Sequence, residues 1–260
     1  MTRLAGKSVF ITGASAGIGK SCAHEFAKAG ANLVLTARRL DRLELLRQEI
    51  VAAYPNAVVH CAQLDVRDAQ AVEKVVASLP ATVSNVEVVV NNAGLVRGLD
   101  RTEDVALENV DLMLDTNVKG PLNVLRALLP GMRERQSGHI INVGSIAGIE
   151  AYPGGSVYCA TKHALNAITQ VLRHELMDTP IRVSEIKPGL VETEFSVVRF
   201  NGDQARADQV YEGMTPLTGQ DIAEIAVFIA TRPQHVQIAD VLVVATDQAS
   251  ATKCHRRPPH

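Results

Sequence analysis

Seven short apolar runs separated by longer amphipathic segments constrain the fold of this chain more than any other feature. The apolar runs occur at 7–13, 32–37, 57–66, 86–94, 138–145, 181–189 and 239–246. Segments with helical periodicity lie between them, for example 21–31, 41–54 and 68–79. Near-continuous apolar strands are buried on both faces, and this alternation predicts a parallel sheet with helices on both sides. With right-handed crossovers, the sequence predicts an α/β domain: a doubly wound (Rossmann) seven-stranded parallel sheet.

Length and local composition predict one domain with two distinctive regions. At 260 residues and 47% hydrophobic composition, the chain can bury the core of one large domain, which we expect to span 1–247. The stretch 190–220 is rich in Gly, Asp and Gln, and an irregular segment of this length predicts a lid or binding loop. The basic, aperiodic stretch 248–260 predicts a frayed C-terminal tail.

Charge and composition argue against two classes of partner. The formal net charge is −2, Trp is absent and aromatic residues make up 3% of the chain, so phosphate contacts and base stacking with nucleic acid have little support. No segment reaches the ~18 consecutive apolar residues of a membrane span. We therefore expect neither a nucleic acid nor a membrane as a partner.

The cysteines and histidines predict neither a disulfide framework nor a metal site. Cys22, Cys61, Cys159 and Cys254 form no CxxC pair and have no zinc-finger spacing to a histidine. They are typical of reduced thiols in an intracellular protein. The stretch "RHELM" contains His174 but lacks the second histidine of a zinc-binding helix, so we expect no metal.

A glycine-rich loop follows the first apolar run and opens the first helix. In "ITGASAGIGK" (11–20) the glycines are Gly13, Gly17 and Gly19, with Ser15 and Ile18 between them. Glycine lets the backbone turn sharply and approach a ligand closely, and a helix N-terminus attracts an anion such as pyrophosphate. Its place in the first βα unit predicts dinucleotide binding rather than an ordinary turn.

Two arginines near the end of the second apolar run indicate which dinucleotide is bound. An NAD-selective fold places an acid there for the ribose 2′-hydroxyl, but "TARRL" supplies Arg38 and Arg39 instead. Guanidinium groups suit a 2′-phosphate, so we expect NADP(H) rather than NAD(H). The alternative is a pair of solvated arginines at a helix start, although positive charge there opposes the helix dipole.

Tyr158 and Lys162 are spaced one helical turn apart in "GGSVYCATKHALN" (154–166). Such a pair can be ordinary surface decoration of a helix. A nearby ammonium group also favours the phenolate form of a tyrosine, whose unperturbed pKa of about 10 is too high for a base at neutral pH. The second interpretation makes Tyr158 a general acid–base.

Five motifs in register resemble the short-chain dehydrogenase/reductase family over about 5–247. They are "TGASAGIG" at 12–19, "NNAG" at 91–94, Asn117, Ser145 and "YCATK" at 158–162.

The resemblance implies a role for each catalytic position. Tyr158 would exchange a proton with the substrate oxygen, Ser145 would hydrogen-bond that oxygen, and Lys162 would support the phenolate and bind the nicotinamide ribose. Asn117 would continue a proton relay through water. Asparagine is also a poor residue for a helix interior, and its side chain can bend the helix or hold a water molecule.

The resemblance also implies further contacts with NADP(H). Asp65 resembles the residue that meets the adenine amino group, with helix capping as the alternative. Asn91 and Gly94 would let the fourth βα turn pass close to the cofactor. The stretch "PGLVET" would line the nicotinamide through Pro188, Gly189, Val191 and Thr193.

Within the family, three segments are similar to NADP-dependent 3-hydroxy acid dehydrogenases that act on serine and L-allo-threonine. The segments are "SIAGIEAYPGGSVYCATK", "PGLVETEFSVVRFNGD" and "ADVLVVATDQAS". This similarity implies small 3-hydroxy acids as substrates, a cytoplasmic location and a homotetramer. A carboxylate substrate needs a cation or a set of hydrogen-bond donors. Arg199, in the 190–220 stretch, is the candidate, and a solvated loop arginine is the alternative. The alternatives are an NADPH-dependent carbonyl reductase for ketones, diketones or sugars, and a nucleotide sensor without turnover.

Overall fold

The computed structural model describes residues 3–258 and contains one seven-stranded sheet in this range. The strands are β1 (Ser8–Thr12), β2 (Asn32–Ala37), β3 (Val59–Gln63), β4 (Val86–Asn91), β5 (His139–Val143), β6 (Arg182–Pro188) and β7 (Asp240–Val243). All neighbouring pairs are parallel, and the order is β3-β2-β1-β4-β5-β6-β7. This confirms the predicted doubly wound parallel sheet.

Helices connect the strands and cover both faces of the sheet. They are α1 (Gly17–Lys28), α2 (Leu40–Ala53), α3 (Ala69–Ala77), α4 (Leu107–Leu114), α5 (Gly120–Arg135), α6 (Ser156–Glu175), α7 (Glu194–Arg199), α8 (Gln204–Gln209) and α9 (Gly219–Ala230). Short 3-10 turns lie at Thr102–Asp104 and Ile146–Gly148, and one π-helical turn lies at Asp115–Lys119.

Alternating side chains of each strand feed two separate apolar layers. On β2, Leu33 and Leu35 pack with α1, α2 and α9, whereas Val34 packs with α3, α5 and α6 on the opposite face. Successive strand side chains point to opposite faces, so an uninterrupted apolar run is what a strand covered on both sides requires. Burying one such side chain fully contributes about 1.5–3 kcal/mol, and Phe26 of α1 is fully buried in the first layer.

The stretch 190–220 is more regular than the sequence predicts. It contains α7 and α8, which begin after Thr193 and Asp203, and each of these residues caps its helix with a side-chain oxygen. Propensity alone did not indicate these six-residue helices, because a helix so short depends on its cap and its packing.

The C-terminal segment, predicted to be frayed, is hydrogen-bonded to the body as far as it is described. The backbone N–H of Arg257 donates to the Gly213 carbonyl at 2.7 Å, and its guanidinium pairs with Asp247. The N–H of His255 donates to the Asp247 carbonyl. The tail therefore covers the segment that follows α8, and residues 259–260 lie outside the described range.

The strand order creates the site. β1 is followed by a crossover to β2 on one side, while β4 lies on its other side. Ligands of open parallel sheets bind beyond the carboxyl ends of the strands at such a switch point, which places the turns after β1, β4, β5 and β6 around one cleft.

Candidate active site

A cleft with a volume of about 320 Å³ opens at the carboxyl ends of the strands. It brings together most of the residues that the sequence predicted as a site. From the first half of the chain these are Gly13, Ser15, Gly17, Ile18, Arg38, Arg39, Asp65 and Gly94. From the second half these are Ser145, Tyr158, Lys162, Pro188, Gly189, Val191 and Thr193.

The glycine loop forms a cradle because side chains are excluded from it. Gly13 adopts φ +66°, and a Cβ there would lie 3.0 Å from the Ala93 Cα. A Cβ on Gly19 would lie 2.4 Å from the Gly13 carbonyl oxygen, so α1 packs directly on the loop. Because Ala16 at the N-cap has no capping side chain, the first N–H groups of α1 face the cleft mouth ready for an anion.

Asn92, which the sequence pattern did not indicate as a site residue, connects the turn after β4 to the glycine loop through hydrogen bonds. Its Nδ2 donates to the Thr12 carbonyl at 2.8 Å, and its backbone N–H donates to the Thr12 hydroxyl at 3.0 Å. The predicted neighbour Asn91 does not line the cleft. Its Nδ2 donates to Asn142 Oδ1 inside the sheet, because adjacent strand side chains point to opposite faces.

The two predicted phosphate-binding arginines differ in their surroundings. The Arg39 guanidinium donates to the Ser15 hydroxyl through Nε and Nη2 and to Glu194 Oε2 at 3.0 Å through Nη1. Glu194 also accepts from Arg42 at 2.6 Å, and these arginines lower its pKa. Arg38 also lines the cleft, and within residues 3–258 its guanidinium makes no hydrogen bond, so it is available to an anion.

Asp65 lies at the end of the cleft nearest Arg38 and is held by Arg67. The Arg67 guanidinium donates to both carboxylate oxygens, at 2.6 Å to Oδ2, and lowers the pKa of Asp65. The neighbouring Asp68, rather than Asp65, caps α3 by accepting from the Ala71 N–H. The capping alternative for Asp65 is therefore wrong, and its carboxylate remains at the wall of the cleft.

Tyr158 and Ser145 meet at the other end of the cleft. Tyr158 lies in the first turn of α6, and Ser145 follows β5, where its Oγ accepts from the Ala147 N–H at 3.0 Å. Burial raises the pKa of Tyr158, the neighbouring Tyr152 adds to this, and hydrogen bonding with Ser145 opposes it. The spacing of Tyr158 and Lys162 predicted a lowered pKa, but in this geometry burial outweighs the ammonium and the Tyr158 hydroxyl is protonated, with the Ser145 hydroxyl beside it.

Lys162 lies one turn along α6 and is buried. Its Nζ donates to the Val143 carbonyl at 2.9 Å and lies 5.9 Å from the centroid of the Tyr158 ring. Burial lowers the pKa of Lys162 to about 8, while the charge of Glu185 opposes that shift. Its charge therefore changes near neutral pH, within reach of the tyrosine.

Asn117 occupies the π-helical turn between α4 and α5. Its Oδ1 accepts from the Leu95 N–H at 2.9 Å, and its Nδ2 donates to the Leu95 carbonyl at 2.8 Å and to the Thr161 hydroxyl at 3.1 Å. The helical stretch that contains α4 and α5 is therefore interrupted by a π-helical turn at this residue, consistent with the expectation that Asn117 can bend the helix. The amide fixes the turn after β4 onto α6, where Gly94 approaches Lys162.

The lid segment contacts both ends of the cleft. Thr193 caps α7 and lies against Gly17, where an added Cβ would be 3.2 Å from the threonine Cβ. Phe195 follows it, with its ring centroid 5.8 Å from that of Tyr158. The first turn of α7 thus covers the region between the glycine loop and the tyrosine.

Arg199, the predicted substrate contact, lies at the end of α7 just beyond the cleft wall. Its guanidinium carbon is 5.9 Å from the centroid of the Tyr158 ring, and its Nη2 donates to the Tyr152 hydroxyl at 3.0 Å. Within the described residues its Nε is buried without a partner. Tyr152 belongs to the loop before α6, whose shape the sequence did not reveal.

Neither a metal cluster nor a bilayer-spanning helix is found in the part of the chain that the structure describes. No group of three His, Cys, Asp or Glu side chains in 3–258 could hold a metal ion. Within the same range, no helix has the length and apolar character required to cross a bilayer.

Comparison with known proteins identifies the family. The family model described as short chain dehydrogenase matches residues 7–203. The chain belongs to the short-chain dehydrogenase family. The family match confirms the resemblance that the five sequence motifs indicated.

Three relatives of this short-chain dehydrogenase stand out. An NADP-dependent 3-hydroxy acid dehydrogenase of Schizosaccharomyces pombe is 48% identical over 258 residues, 99% of each chain. A sulfoacetaldehyde reductase of Chromohalobacter salexigens is 46% identical over 93% of this chain and 94% of its own. A serine dehydrogenase solved in its closed form with NADP⁺ superposes with a TM-score of 0.90 at 41% identity, covering 96% of this chain and all of that one.

Proposed function

We propose that this short-chain dehydrogenase transfers a hydride between NADP(H) and the 3-hydroxyl or 3-keto group of small 3-hydroxy acids. The observation that carries the proposal is the position of a guanidinium, Arg199, 5.9 Å from the ring centroid of the buried Tyr158. A cation beside a tyrosine acid–base suits a substrate with both a hydroxyl and an anionic group. The names of two of the relatives above, the 3-hydroxy acid dehydrogenase and the serine dehydrogenase, support the same substrate class.

The chemistry of the cleft residues supports NADP(H) as the cofactor. The glycine loop leaves room for a pyrophosphate at the N-terminus of α1, and Arg38, Arg39 and Ser15 offer donors for a 2′-phosphate. Gly94 leaves space beside Lys162, because a Cβ at this position would lie 3.7 Å from the lysine Nζ. When bound, NADP⁺ supplies the hydride acceptor, and its positive ring favours the phenolate of the tyrosine.

The other residues that line the cleft are assigned to the parts of NADP(H) that would lie nearest to them. Pro188, Gly189 and Val191 would line the nicotinamide end of the cleft, and Thr193 would reach towards the carboxamide or a phosphate. Asp65 would meet the adenine. The lid, 190–220, closes over the substrate through α7.

The chain's own side chains would move one proton. In alcohol oxidation, Ser145 hydrogen-bonds the substrate oxygen and holds it for transfer. Tyr158 would first lose its proton, with the positive charges of Lys162 and the bound nicotinamide ring stabilising the phenolate, and the phenolate would then accept the hydroxyl proton of the substrate. Asn117 holds the backbone beside Lys162, from which a relay through water returns the proton to solvent. In ketone reduction the same groups act in reverse.

Arg199 is proposed to bind the substrate carboxylate. Its Nε is buried without a partner among the described residues, and a buried guanidinium N–H without an acceptor is destabilising. An incoming carboxylate would satisfy it. Hydrogen bonds to charged groups contribute about 1.5–3 kcal/mol, so losing this contact should reduce kcat/KM by roughly 10- to 100-fold.

The test measures NADP⁺ reduction by absorbance with L-serine, L-allo-threonine and 3-hydroxyisobutyrate. Tyr158→Phe should abolish turnover with all three. Arg199→Met should raise KM for each acid and leave the reduction of a neutral ketone nearly unchanged. Arg206→Met is the matched control, because this lid arginine stacks on Phe200 at 4.5 Å instead of approaching the tyrosine.

Other outcomes would redirect the proposal. An unchanged KM for the acids in Arg199→Met would remove Arg199 from the substrate site. Reduction of neutral ketones without oxidation of any acid would favour the broad carbonyl reductase. Preference for sulfoacetaldehyde would keep the anion site and change the anion, since a sulfonate offers oxygens similar to those of a carboxylate.

We also propose that the enzyme is a homotetramer acting in the cytoplasm. Large apolar side chains are exposed on helices and on the edge strand β7, and contacts between subunits would bury them. They include Leu107, Leu114 and Leu122 on α4 and α5, and Phe228 and Leu242 on α9 and β7. Light scattering after gel filtration should give four times the 27.9 kDa chain mass; a monomer mass would contradict this. The free cysteines of the described chain suit a reducing compartment.

A further inference from the structure

Glu185, in the middle of β6, is a buried acid that the proposed reaction does not use. Its side chain is fully buried, and neither carboxylate oxygen has a hydrogen-bond partner within the described residues. A buried carboxylate without hydrogen bonds is destabilising. The cluster around this residue therefore requires an explanation other than stability.

The carboxylate lies against the backbone segment that leads to Ser145. A Cβ on Gly144 would lie 2.2 Å from Glu185 Oε1, so the acid occupies the space that this glycine leaves. The preceding carbonyl, of Val143, accepts the hydrogen bond from Lys162 Nζ at 2.9 Å. Glu185 and Lys162 therefore contact the two residues of one peptide unit immediately before the serine.

Charges from three elements face Glu185. Lys187, on the same strand, places Nζ 3.8 Å from Oε2, but this ammonium also pairs with Asp240 of β7 at 2.7 Å. From α6, Arg173 pairs with Asp240 at 3.2 Å, and Lys162 lies on the active-site side. Lys187 is thus shared between Glu185 and Asp240, and Lys162 is a second cation that acts on Glu185 from the side of the active site.

We propose that Glu185 is a positioning residue that keeps Lys162 charged and seated on the Val143 carbonyl, and so sustains the phenolate of Tyr158. The inference rests on the proposed oxidoreduction. Glu185 would act on Tyr158 and Lys162 from behind the active site, across the position where Gly144 has no side chain.

Electrostatics support this arrangement. Burial raises the pKa of Glu185 to about 7, Lys187 lowers it, Asp240 raises it, and Lys162 and Arg173 lower it. The ionised Glu185 in turn opposes the loss of charge by Lys162, whose pKa burial lowers to about 8. Removing the carboxylate should therefore lower the pKa of Lys162, so that the lysine loses its proton at a lower pH than in the wild type.

The test is the pH profile of kcat/KM for alcohol oxidation in Glu185→Gln, which keeps the shape and removes the charge. Activity should fall on the alkaline side at a pH lower by roughly one unit, the size of shift that a nearby charge produces. Glu87→Gln is the matched control, since Glu87 pairs with Lys7 near the opposite end of the sheet and should leave the profile in place. If kcat/KM of Glu185→Gln fell at the same alkaline pH as that of the wild type, the proposal would be overturned, whatever the loss in absolute activity.

Thermal stability gives a readout that does not depend on turnover. The pKa of Glu185 in the folded protein is raised above its unfolded value, so its ionisation destabilises the fold as pH rises through that range. Glu185→Gln should gain Tm over wild type at pH 8 and little at pH 5. An equal loss of Tm at both pH values would mark the acid as a packing residue and overturn the proposal.

Binding of NADPH to the same variants separates this inference from the proposed function. Fluorescence titration should give equal Kd values for Glu185→Gln and wild type at pH 6, and weaker binding by the variant at pH 8. If wild type turned over no alcohol while binding NADPH, the proposed reaction would fail on its own, and this titration would still report on Lys162. Parallel Kd values at both pH values would contradict the role of Glu185.

Discussion

Replacing Asn117 with alanine should destabilise this protein more than replacing any exposed asparagine. Its amide makes three buried hydrogen bonds, to the N–H and the carbonyl of Leu95 and to the Thr161 hydroxyl. Leu95 itself is buried. Asn117→Ala would therefore leave two backbone groups without partners between α4 and the turn after β4.

The magnitude follows from those two groups. Each buried donor or acceptor left unpaired costs about 1–3 kcal/mol, and a water molecule entering the space left by the amide restores part of this. We expect a loss of about 2–4 kcal/mol in the free energy of unfolding, which corresponds to a fall in Tm of roughly 5–15 °C for a chain of this size.

The assay is thermal and urea unfolding at one fixed protein concentration, with Asn123→Ala as the matched control. The Asn123 amide also donates to backbone, to the Val66 carbonyl at 2.9 Å and the Arg67 carbonyl at 3.3 Å, but it is half-buried on α5. Water can replace these bonds, so the control should lose less than about 1 kcal/mol. Equal losses for both variants would refute the reasoning that burial makes the Asn117 bonds indispensable.

Two further predictions concern residues of the proposed cofactor site, one for cofactor binding and one for stability. Arg39→Ala should raise the Kd of NADPH about 10-fold, as expected when a hydrogen bond to a charged group is lost, and should leave the Kd of NADH unchanged. Fluorescence titration with both cofactors measures this. An equal rise in both Kd values would show that Arg39 does not act through the 2′-phosphate. Gly19→Ala should lower the free energy of unfolding by about 1–3 kcal/mol, since its Cβ would meet the Gly13 carbonyl at 2.4 Å. Urea denaturation checks this, and a gain in stability, as helix propensity alone would give, would contradict it.

Local sequence patterns predicted the elements that form the sheet and the loop that opens the cleft. The run "KSVFITG" predicted a strand, and the structure contains β1 at Ser8–Thr12. The glycine spacing after it predicted the cradle because φ values such as +66° at Gly13 are a local property of the residue. The four-residue spacing of Tyr158 and Lys162 required only that α6 be a helix.

Contacts between distant segments could not be read in the same way. Asn91 and Asn92 are adjacent and chemically identical, yet only Asn92 reaches the glycine loop. The choice depends on the exact end of β4, and element boundaries are the least certain part of sequence-based prediction. The six-residue helices of the lid and the seating of the C-terminal segment depend likewise on partners far away in the chain.

Residues close together in the chain set the alternating βα order, the position of the glycine loop, the arginines in place of an acid and the spacing within α6, so these features can be read from the sequence. Three contacts arise only when distant segments pack: Glu185 with Gly144, Arg199 with Tyr158, and Asn117 with Leu95. Those relations depend on strand register and on how the lid and helices pack, and burial then sets the pKa values of Lys162 and Glu185.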